Sequence, residues 1–513
     1  MTNLGGSLLL TACIALGACA QLPEREAPMI VEEAVSPGTS TELDRMMQTV
    51  EQVHPGESAF RLVDNGYEAF ALRMHSAALA ERSLDVQTYI WHPDTAGTYL
   101  ASALLRAADR GVRVRILVDD VDARQNHYAF TALAAHRNVS VRIFNPFASR
   151  HGFLSKLTEG VRRFSELNRR MHNKSWIADN RIAIAGGRNL GDEYFNASEG
   201  VNFVDLDMAM IGPVVRDVSH SFDRYWNAVS SYPVDVLTPD AVTDEALANL
   251  REQIERRVSS SIASQYAAAL HADSSVQRLL QGTWPMQWTA EYQFWSDDPL
   301  KAVSTQAKGQ GSHVLTNLLD EIETTRERLW IISPYFVPGV RGTERLSSLA
   351  EREVDVRIIT NSLAANDVVA VHSGYEKYRQ ALLENGVALW ELKPLAGEGS
   401  KTSLFGSSGA SLHTKALVID GEGSFVGSYN LDPRSTALNT EQGVFVRSAA
   451  IGEKLQDLFT EQSSMQHAWR LEMRDGDVAW IDGRHIHTSE PEASLMRRVL
   501  ATVLGWLPLE RQL

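Results

Sequence analysis

The sequence predicts an α/β protein made of two similar α/β/α halves, each with a mixed β-sheet, packed as a pseudo-twofold dimer within one chain. Two observations carry this prediction: a polar motif occurs twice with the same internal spacing, and β-branched strand patterns alternate with helical patterns around both copies. The chain has 513 residues, of which 44% are apolar and 22% charged. This is the composition of an ordinary globular protein and excludes disordered and fibrous classes.

The internal repeat is the strongest signal in the sequence. Residues 171–179 read Met-His-Asn-Lys-Ser-Trp-Ile-Ala-Asp, and residues 412–420 read Leu-His-Thr-Lys-Ala-Leu-Val-Ile-Asp. A Gly-rich turn follows each copy at the same distance and ends in an asparagine, Asn189 or Asn430. Matched polar positions are therefore displaced by 241 residues (413 − 172 and 430 − 189).

The flanking patterns place the halves at residues 58–230 and 300–465. In both, a strand pattern precedes the motif, as in Val112–Val118 and Val354–Thr360, with helical patterns between strands. We expect residues 231–299 to be a helical connection and 466–513 to be an appendage. The appendage contains an amphipathic helix that fits either docking on the protein body or lying in a membrane interface.

The repeated side chains suit phosphodiester chemistry. On a strand, His172 and Lys174 are two residues apart and share a face, as do His413 and Lys415. Two halves facing each other would gather both pairs with Asn189 and Asn430 around one point. Lysine and asparagine can bind the phosphate oxygens, while two imidazoles serve as nucleophile and general acid. A lone His-x-Lys would be read as core packing, but the duplication argues against that, and the spacing leaves the order of the histidines open.

These motifs resemble the phospholipase D superfamily. The stretches Arg170–Ser175, Gly186–Phe195 and Gly427–Ser435 are most similar to its bacterial cardiolipin synthases of the C type. The resemblance implies catalysis without metal or cofactor through a phosphohistidine. It further implies that His172 is the nucleophile and that His413 is the general acid and later the base.

The same resemblance implies a carboxylate partner downstream of each histidine. Asp205 follows His172 by 33 residues and Glu441 follows His413 by 28, so we expect these two pairs. Asp179 and Asp420 belong to the signature, but each lies seven residues after its histidine. That odd spacing places them on the opposite strand face, and we expect them to be structural.

The N-terminus predicts a lipoprotein. Both cysteines, Cys13 and Cys19, lie in an apolar segment too short to span a bilayer, and Leu16-Gly-Ala-Cys19 resembles a lipobox. We therefore expect a signal peptide at 1–19, lipidation of Cys19 and a tether at 20–57. The expected location is the periplasmic face of a bacterial envelope membrane.

The predicted function is a phosphatidyltransferase that forms cardiolipin from phosphatidylglycerol and a second phospholipid, with phosphatidylethanolamine as one candidate. The main alternative is a phospholipase D-type hydrolase that releases phosphatidic acid. A non-lipid phosphodiesterase or nuclease is disfavoured because the net charge of −15 disfavours a nucleic-acid partner. A non-catalytic envelope lipoprotein is disfavoured because both motifs are intact. The sequence leaves open the donor, the acceptor and the oligomeric state.

Overall fold

The computed structural model describes residues 22–23, 31–124, 126–148, 168–198, 200, 202–259, 263–303, 312–394, 412–483, 485–507 and 510–512. These residues form two large mixed β-sheets with helices on their faces, which confirms the predicted fold class. The expected signal peptide 1–19 with Cys19, together with residues 20–21 and 24–30 of the expected tether, lies outside the described residues. No helix in the described part of the chain is long and apolar enough to cross a bilayer.

The first sheet has the strand order β8-β4-β3-β2-β5-β6-β7-β1-β9. Strands β2, β3 and β4 are parallel, and the other pairings are antiparallel. The bounds are β1 Ser58–Val63, β2 Ser83–Thr88, β3 Arg113–Asp119, β4 Val139–Phe144, β5 Ser175–Ala178, β6 Ile182–Gly186, β7 Asp207–Ile211, β8 Ser231–Pro233 and β9 Gln287–Thr289.

The second sheet repeats this arrangement in the order β10-β16-β15-β14-β11-β12-β13-β17-β18-β19. Its parallel strands β11, β12 and β13 correspond to β2, β3 and β4, and the motif strand β14 pairs with β11 as β5 pairs with β2. The bounds are β10 Tyr292–Ser296, β11 Arg328–Ile332, β12 Asp355–Asn361, β13 Ala388–Leu392, β14 Ala416–Ile419, β15 Gly423–Gly427, β16 Gln442–Arg447, β17 Ala468–Arg474, β18 Asp477–Asp482 and β19 His485–His487.

Sixteen α-helices are described, and two of them lie between the sheets. Helices α6 and α15 contribute Phe222, Trp226, Leu455 and Phe459 to a buried cluster that contains residues of both sheets. The bounds are α1 Glu42–Val53, α2 Gly66–Leu79, α3 Thr95–Asp109, α4 Asp120–Ala123, α5 His127–Ala134, α6 Val214–Trp226, α7 Val234–Leu237, α8 Asp244–Val258, α9 Ala263–Ala272, α10 Ser275–Leu280, α11 His313–Glu323, α12 Gly339–Glu351, α13 Val369–Glu384, α14 Pro433–Ala437, α15 Ala449–Gln462 and α16 Leu495–Gly505. The halves thus share one apolar cluster in addition to the clusters within each half, and this shared cluster fixes how they face each other.

Both sheets extend beyond the residue ranges 58–230 and 300–465 that the sequence predicted for the two halves. The expected helical connection 231–299 supplies strands to both sheets, because β8 and β9 pair with the first sheet and β10 with the second. The expected appendage 466–513 supplies β17, β18 and β19 to the second sheet. These strands lie at or near the sheet edges, and all but β17 are only three to six residues long, so they carry little periodicity to read.

The expected tether 20–57 also contains an ordered element. Helix α1 begins with a capping box in which Thr41 and Asp44 bond each other's backbone amides. The buried Asp44 carboxylate also forms ion pairs with Arg82 and Arg181 of the first half. These contacts and the buried Leu43 and Met47 hold α1 against the sheet.

Asp179 and Asp420 close the turn after each motif strand. The Asp179 carboxylate accepts hydrogen bonds from the backbone amides of Glu81, Arg82 and Ser83 at 2.8–3.2 Å. Asp420 accepts the equivalent bonds from residues 326–328. Both aspartates have a φ of 52°, which lies in the left-handed region.

We predict that Asp179→Ala lowers the free energy of unfolding by about 2–4 kcal/mol, since it strands backbone donors and strains a left-handed residue. Asp179→Asn is the matched control: its amide oxygen still accepts and asparagine tolerates this φ, so the loss should stay below about 1 kcal/mol. Denaturant unfolding measures both. Equal losses for alanine and asparagine would contradict the structural role.

Candidate active site

Backbone hydrogen bonds across the seam between the halves bring the two motifs together. The His172 amide donates to the Thr440 carbonyl at 2.9 Å, and the His413 amide donates to the Val204 carbonyl at 2.8 Å. Each bond lies within a short parallel β-bridge, Met171 to Thr440 and Val204 to Leu412. Each histidine is thus positioned by the opposite half.

The carboxylate partners are exchanged between the halves. His172 Nδ1 lies 2.9 Å from Glu441 Oε2, and His413 Nδ1 lies 2.6 Å from Asp205 Oδ2. The expected pairs of His172 with Asp205 and of His413 with Glu441 were therefore wrong, although the four residues do meet in one site. The reason is the seam: Asp205 and Glu441 directly follow Val204 and Thr440, the residues that bridge to the other half.

Glu441 is held more tightly than sequence reasoning indicated. Its oxygens accept hydrogen bonds from the Ser428 hydroxyl at 2.5 Å and the Ser435 hydroxyl at 2.9 Å. Its backbone amide donates to Asp297 at 3.1 Å. Both serines stand within the second motif, which was the available signal, whereas nothing in the sequence pointed to Asp297. These contacts fix the carboxylate towards His172.

Two buried ammonium groups face the histidines without an ion-pair partner. Lys174 and Lys415 are 3% and 1% exposed, and each Nζ donates to the carbonyl of its own histidine, His172 or His413, at 2.5 Å. No salt bridge to either lysine occurs among the described residues. A buried cation without a counter-ion is costly, so this pair forms a ready site for an anion such as a phosphodiester.

Each asparagine bonds a residue that contacts one of the His–carboxylate pairs: Asn189 bonds Tyr194, which borders His413, and the Asn430 backbone amide donates to Ser435, which bonds Glu441. Asn189 is 1% exposed; its Oδ1 accepts from the Ile90 amide at 3.3 Å and its Nδ2 donates to the Tyr194 hydroxyl at 2.9 Å. Asn430 is also buried, and its Oδ1 has no hydrogen-bond partner within the described chain. Both amides retain capacity for a ligand.

Aromatic rings border both histidines. Tyr89 meets the His172 ring edge-on with centroids 5.1 Å apart, and Tyr194 meets His413 in the same way at 5.3 Å. Phe203 lies 5.3 Å from the His413 ring on a tilted plane. The rings restrict rotation of the imidazoles, and sequence reasoning assigned no role to any of the three.

The electrostatics of the two His–carboxylate pairs differ. Burial lowers the pKa of His172 well below its usual value, and Lys174 and Lys415 lower it further. Burial raises the pKa of its partner Glu441 to about 7. In the other pair, burial raises the pKa of Asp205, but the charges of His413 and Lys415 outweigh it and hold the pKa below its usual value. Asp205 therefore stays ionised beside His413.

The pKa values of the two lysines are shifted as well. Burial lowers the pKa of Lys174 to about 7 and that of Lys415 to about 8, although Glu441 and Asp205 both act in the opposite direction. An anionic substrate between them would raise both values by favouring the charged forms. Binding of a phosphodiester and charging of the lysines are thus linked.

One group of potential metal ligands lies outside this constellation. His92, Asp94 and Glu193 each place one ligand atom within 4.8 Å of the others. All three already have partners, because His92 Nδ1 bonds Glu193 at 3.0 Å and Asp94 accepts from the Gly97 and Asp192 amides. We assign no ion to this group.

Comparison with models of known protein families shows which family the chain belongs to. A family model described as "Cardiolipin synthase, PLD-like domain" matches residues 74–226 and 318–463, more than half of the chain, with one match over each half. The chain belongs to this family. It is an enzyme of the phospholipase D superfamily, as the sequence motifs indicated.

Individual relatives agree with this assignment. Cardiolipin synthase C of Escherichia coli K12 is 40% identical over 474 residues, which covers 89% of this chain and 96% of that protein. Cardiolipin synthase A of Pseudomonas syringae is 25% identical over 78% of this chain and 67% of its own length. Among solved structures, phosphatidylserine synthase of Haemophilus influenzae superposes with a TM-score of 0.58 at 13% identity, covering 92% of this chain and 100% of that one. That last likeness supports the fold.

We predict that Asp205→Asn lowers the pKa of His413, since the carboxylate favours the charged imidazole. Glu441→Gln should leave the His413 pKa nearly unchanged. Histidine-selective NMR titration, assigned with His413→Gln, measures both. If Glu441→Gln instead shifts His413, each histidine pairs within its own half and the exchanged pairs are wrong.

Proposed function

We propose that this protein is a phosphatidyltransferase that forms cardiolipin from phosphatidylglycerol and a second phospholipid through a phosphohistidine. One observation carries the proposal: two buried, unpaired ammonium groups lie beside two His–carboxylate pairs of unequal electrostatics. The 40% identity to cardiolipin synthase C of E. coli supports the lipid class.

In the first step, His172 Nε2 attacks the phosphorus of the donor lipid. The contact of Nδ1 with Glu441 leaves Nε2 free, and the low pKa keeps its lone pair available. A phosphorus–nitrogen bond forms while the phosphorus–oxygen bond to the headgroup alcohol breaks. His413 donates a proton to that departing oxygen, and Asp205 stabilises the imidazolium that supplies it.

In the second step, the headgroup hydroxyl of phosphatidylglycerol attacks the phosphohistidine. Neutral His413 takes the hydroxyl proton, the new phosphorus–oxygen bond forms and the phosphorus–nitrogen bond breaks, which releases cardiolipin and restores both histidines. Lys174 and Lys415, with Asn189 and Asn430, bind the phosphate oxygens in both steps and stabilise the charge that develops on them. The donor is a second phosphatidylglycerol, which releases glycerol, or phosphatidylethanolamine, which releases ethanolamine.

The unequal pairs support the order of the two histidines, which the motif spacing leaves open. The nucleophile must be neutral, and burial among two lysines keeps His172 so. The general acid must carry a proton. Burial lowers the pKa of His413 below its usual value, but the ionised Asp205 opposes this by favouring the charged imidazole. Glu441, with a pKa of about 7, gives weaker support to a charged imidazole.

A phospholipase D-type hydrolase is the second candidate function. Water and a lipid hydroxyl can attack the same phosphohistidine, and one observation favours water: an open cavity of about 400 Å³ between the halves is lined by Asp205 and Thr414 together with polar side chains such as Asn196 and Glu461. Transfer requires that the acceptor lipid attack the phosphohistidine faster than water that enters through this cavity.

We predict that variants of the general acid still carry out the first step when the leaving group of the donor lipid needs no proton. On phosphatidylglycerol, His413→Gln and Asp205→Asn should lose about 10²–10⁴-fold in rate, because the departing alkoxide needs a proton. On phosphatidyl-p-nitrophenol, whose leaving group needs none, His413→Gln should still release a burst of one equivalent of p-nitrophenol.

His172→Gln is the matched control and should release no p-nitrophenol from phosphatidyl-p-nitrophenol. Stopped-flow absorbance of the released p-nitrophenolate measures the burst. A burst from His172→Gln together with none from His413→Gln would reverse the assigned roles.

We predict that the purified enzyme, given labelled phosphatidylglycerol in mixed micelles, forms more cardiolipin than phosphatidic acid. Adding phosphatidylethanolamine with a distinct label shows by mass spectrometry whether it acts as donor. His172→Gln should form neither product. Phosphatidic acid in excess at high acceptor concentration would identify the protein as the hydrolase.

We further propose that the enzyme is a lipoprotein on the periplasmic face of a bacterial envelope membrane, anchored through Cys19. The lipobox-like segment before Cys19 supports this. Mass spectrometry of the mature wild-type protein should find a diacylated Cys19 at the N-terminus, and Cys19→Ala should abolish it. Retention of residues 1–18 in the wild type would refute the anchor.

A further inference from the structure

Helix α16 has three distinct sectors around its axis. At about 100° per residue, one sector packs on the protein through Leu500, Ala501 and Leu504, which contact Leu363 and Val369. A polar sector contains Arg498 and Thr502. The remaining sector, about 120° wide, consists of large apolar side chains that are 44–80% exposed. We call this sector, with the two residues that follow the helix, the C-terminal apolar face: Leu495, Met496, Val499, Val503, Trp506 and Leu507.

The C-terminal apolar face has the chemistry of a bilayer interface rather than of a protein core. It includes Trp506, a residue type that favours the headgroup level, and a basic residue, Arg498, flanks it. No acidic residue occurs between Ala493 and Leu509, so nothing on this segment repels anionic phospholipid. Six exposed large apolar side chains on one arc also exceed what scattered surface residues explain.

The N-terminal end of α16 is held close to the second motif. Asn361, at the end of β12, bonds both backbone groups of Leu412 at 2.9 and 3.0 Å, directly before His413. Two residues later, Leu363 begins the surface on which α16 packs, and Arg497 donates to the Asn366 carbonyl. The helix therefore lies on the edge of the second sheet that carries the catalytic histidine.

The segment after α16 is bonded to the residues that directly precede the first motif. Gln512 Oε1 accepts from Asn168 Nδ2 at 2.5 Å, and Arg434 Nη2 donates to the Asn168 carbonyl at 2.7 Å. Asn168 lies four residues before His172, and Arg434 lies four residues after Asn430. The C-terminal apolar face is thus attached at both ends to residues that flank the active site.

We propose that the C-terminal apolar face inserts into the interfacial region of an anionic phospholipid bilayer and sets the active site against the lipid surface. This rests on the proposed function, since a membrane-resident substrate is what such an orientation would deliver. A headgroup could then reach Lys174 and Lys415 while its acyl chains stay in the membrane. The face thus acts in addition to the lipid at Cys19, which tethers the chain without orienting it.

The test uses the full chain with Cys19→Ala throughout, so that no covalent lipid contributes to binding. Val499→Glu lies within the face. The matched control is Val53→Glu. Val53 is 69% exposed, against 55% for Val499, and lies at the end of α1, near the start of β1 and therefore at the sheet edge opposite the histidines. Co-flotation with phosphatidylglycerol–phosphatidylethanolamine vesicles measures binding, and dihexanoyl phosphatidylglycerol below its micellar concentration measures activity without a membrane.

We expect Val499→Glu to weaken vesicle binding by roughly tenfold or more, because a valine side chain that inserts into the bilayer is replaced by a charge. Its activity on vesicles should fall in parallel, and its activity on the monomeric lipid should not change. Val53→Glu should match the parent in all three assays. Brominated lipids should quench part of the tryptophan fluorescence of the parent, and Trp506→Phe should remove that part.

Three results would overturn the proposal. Vesicle binding by Val499→Glu equal to the parent shows that the face does not insert. A parent dimer that Val499→Glu converts to monomer without a change in vesicle binding assigns the face to a second copy of the chain. Equal loss of activity on vesicles and monomeric lipid shows that the substitution damages the site itself. If the parent transfers phosphatidyl groups from no lipid at all, the proposed function fails, while co-flotation still decides whether the face inserts.

Discussion

The site depends on the backbone seam where each half bonds the residues around the other half's histidine. Thr440 and Val204 accept the amides of His172 and His413, and the next residues in the chain, Glu441 and Asp205, supply the carboxylates. A small shift of the seam would therefore move a histidine and its partner relative to each other in both pairs. Neither half contains a complete His–carboxylate pair, so both halves are needed to form the site.

The two halves are nearly symmetric, but the electrostatic environments of their His–carboxylate pairs differ. This difference assigns different catalytic roles to the two histidines. Both halves supply a histidine, a lysine and an asparagine in equivalent places, yet one pair contains Glu441 and the other Asp205. Serine hydroxyls surround Glu441, whereas Asp205 faces the His413 and Lys415 charges, and burial acts on the two with different outcomes. Gene duplication would produce two equivalent imidazoles, and these local differences are what separate a nucleophile from an acid.

The sequence predicted the fold class and the composition of the site because both follow from a duplicated local pattern. Strand periodicity places His172 beside Lys174, and repetition implies a second set near the first. The partnership of His172 with Glu441 could not be read in the same way, since it depends on which residues bridge the seam, and no local spacing encodes a contact between residues 269 positions apart. For the same reason Asp297 and the short strand β10 escaped notice, as both acquire their roles only by pairing with the second half.

The most direct test of a single site built from both halves is a crystal structure of the protein with orthovanadate, a phosphoryl mimic. We expect one vanadate per chain, bonded to His172 Nε2, with His413 on the opposite side and Lys174 and Lys415 on its equatorial oxygens. His172 should remain paired with Glu441 and His413 with Asp205. Two vanadates, one at each motif, or histidines paired with the carboxylate of their own half, would contradict the account.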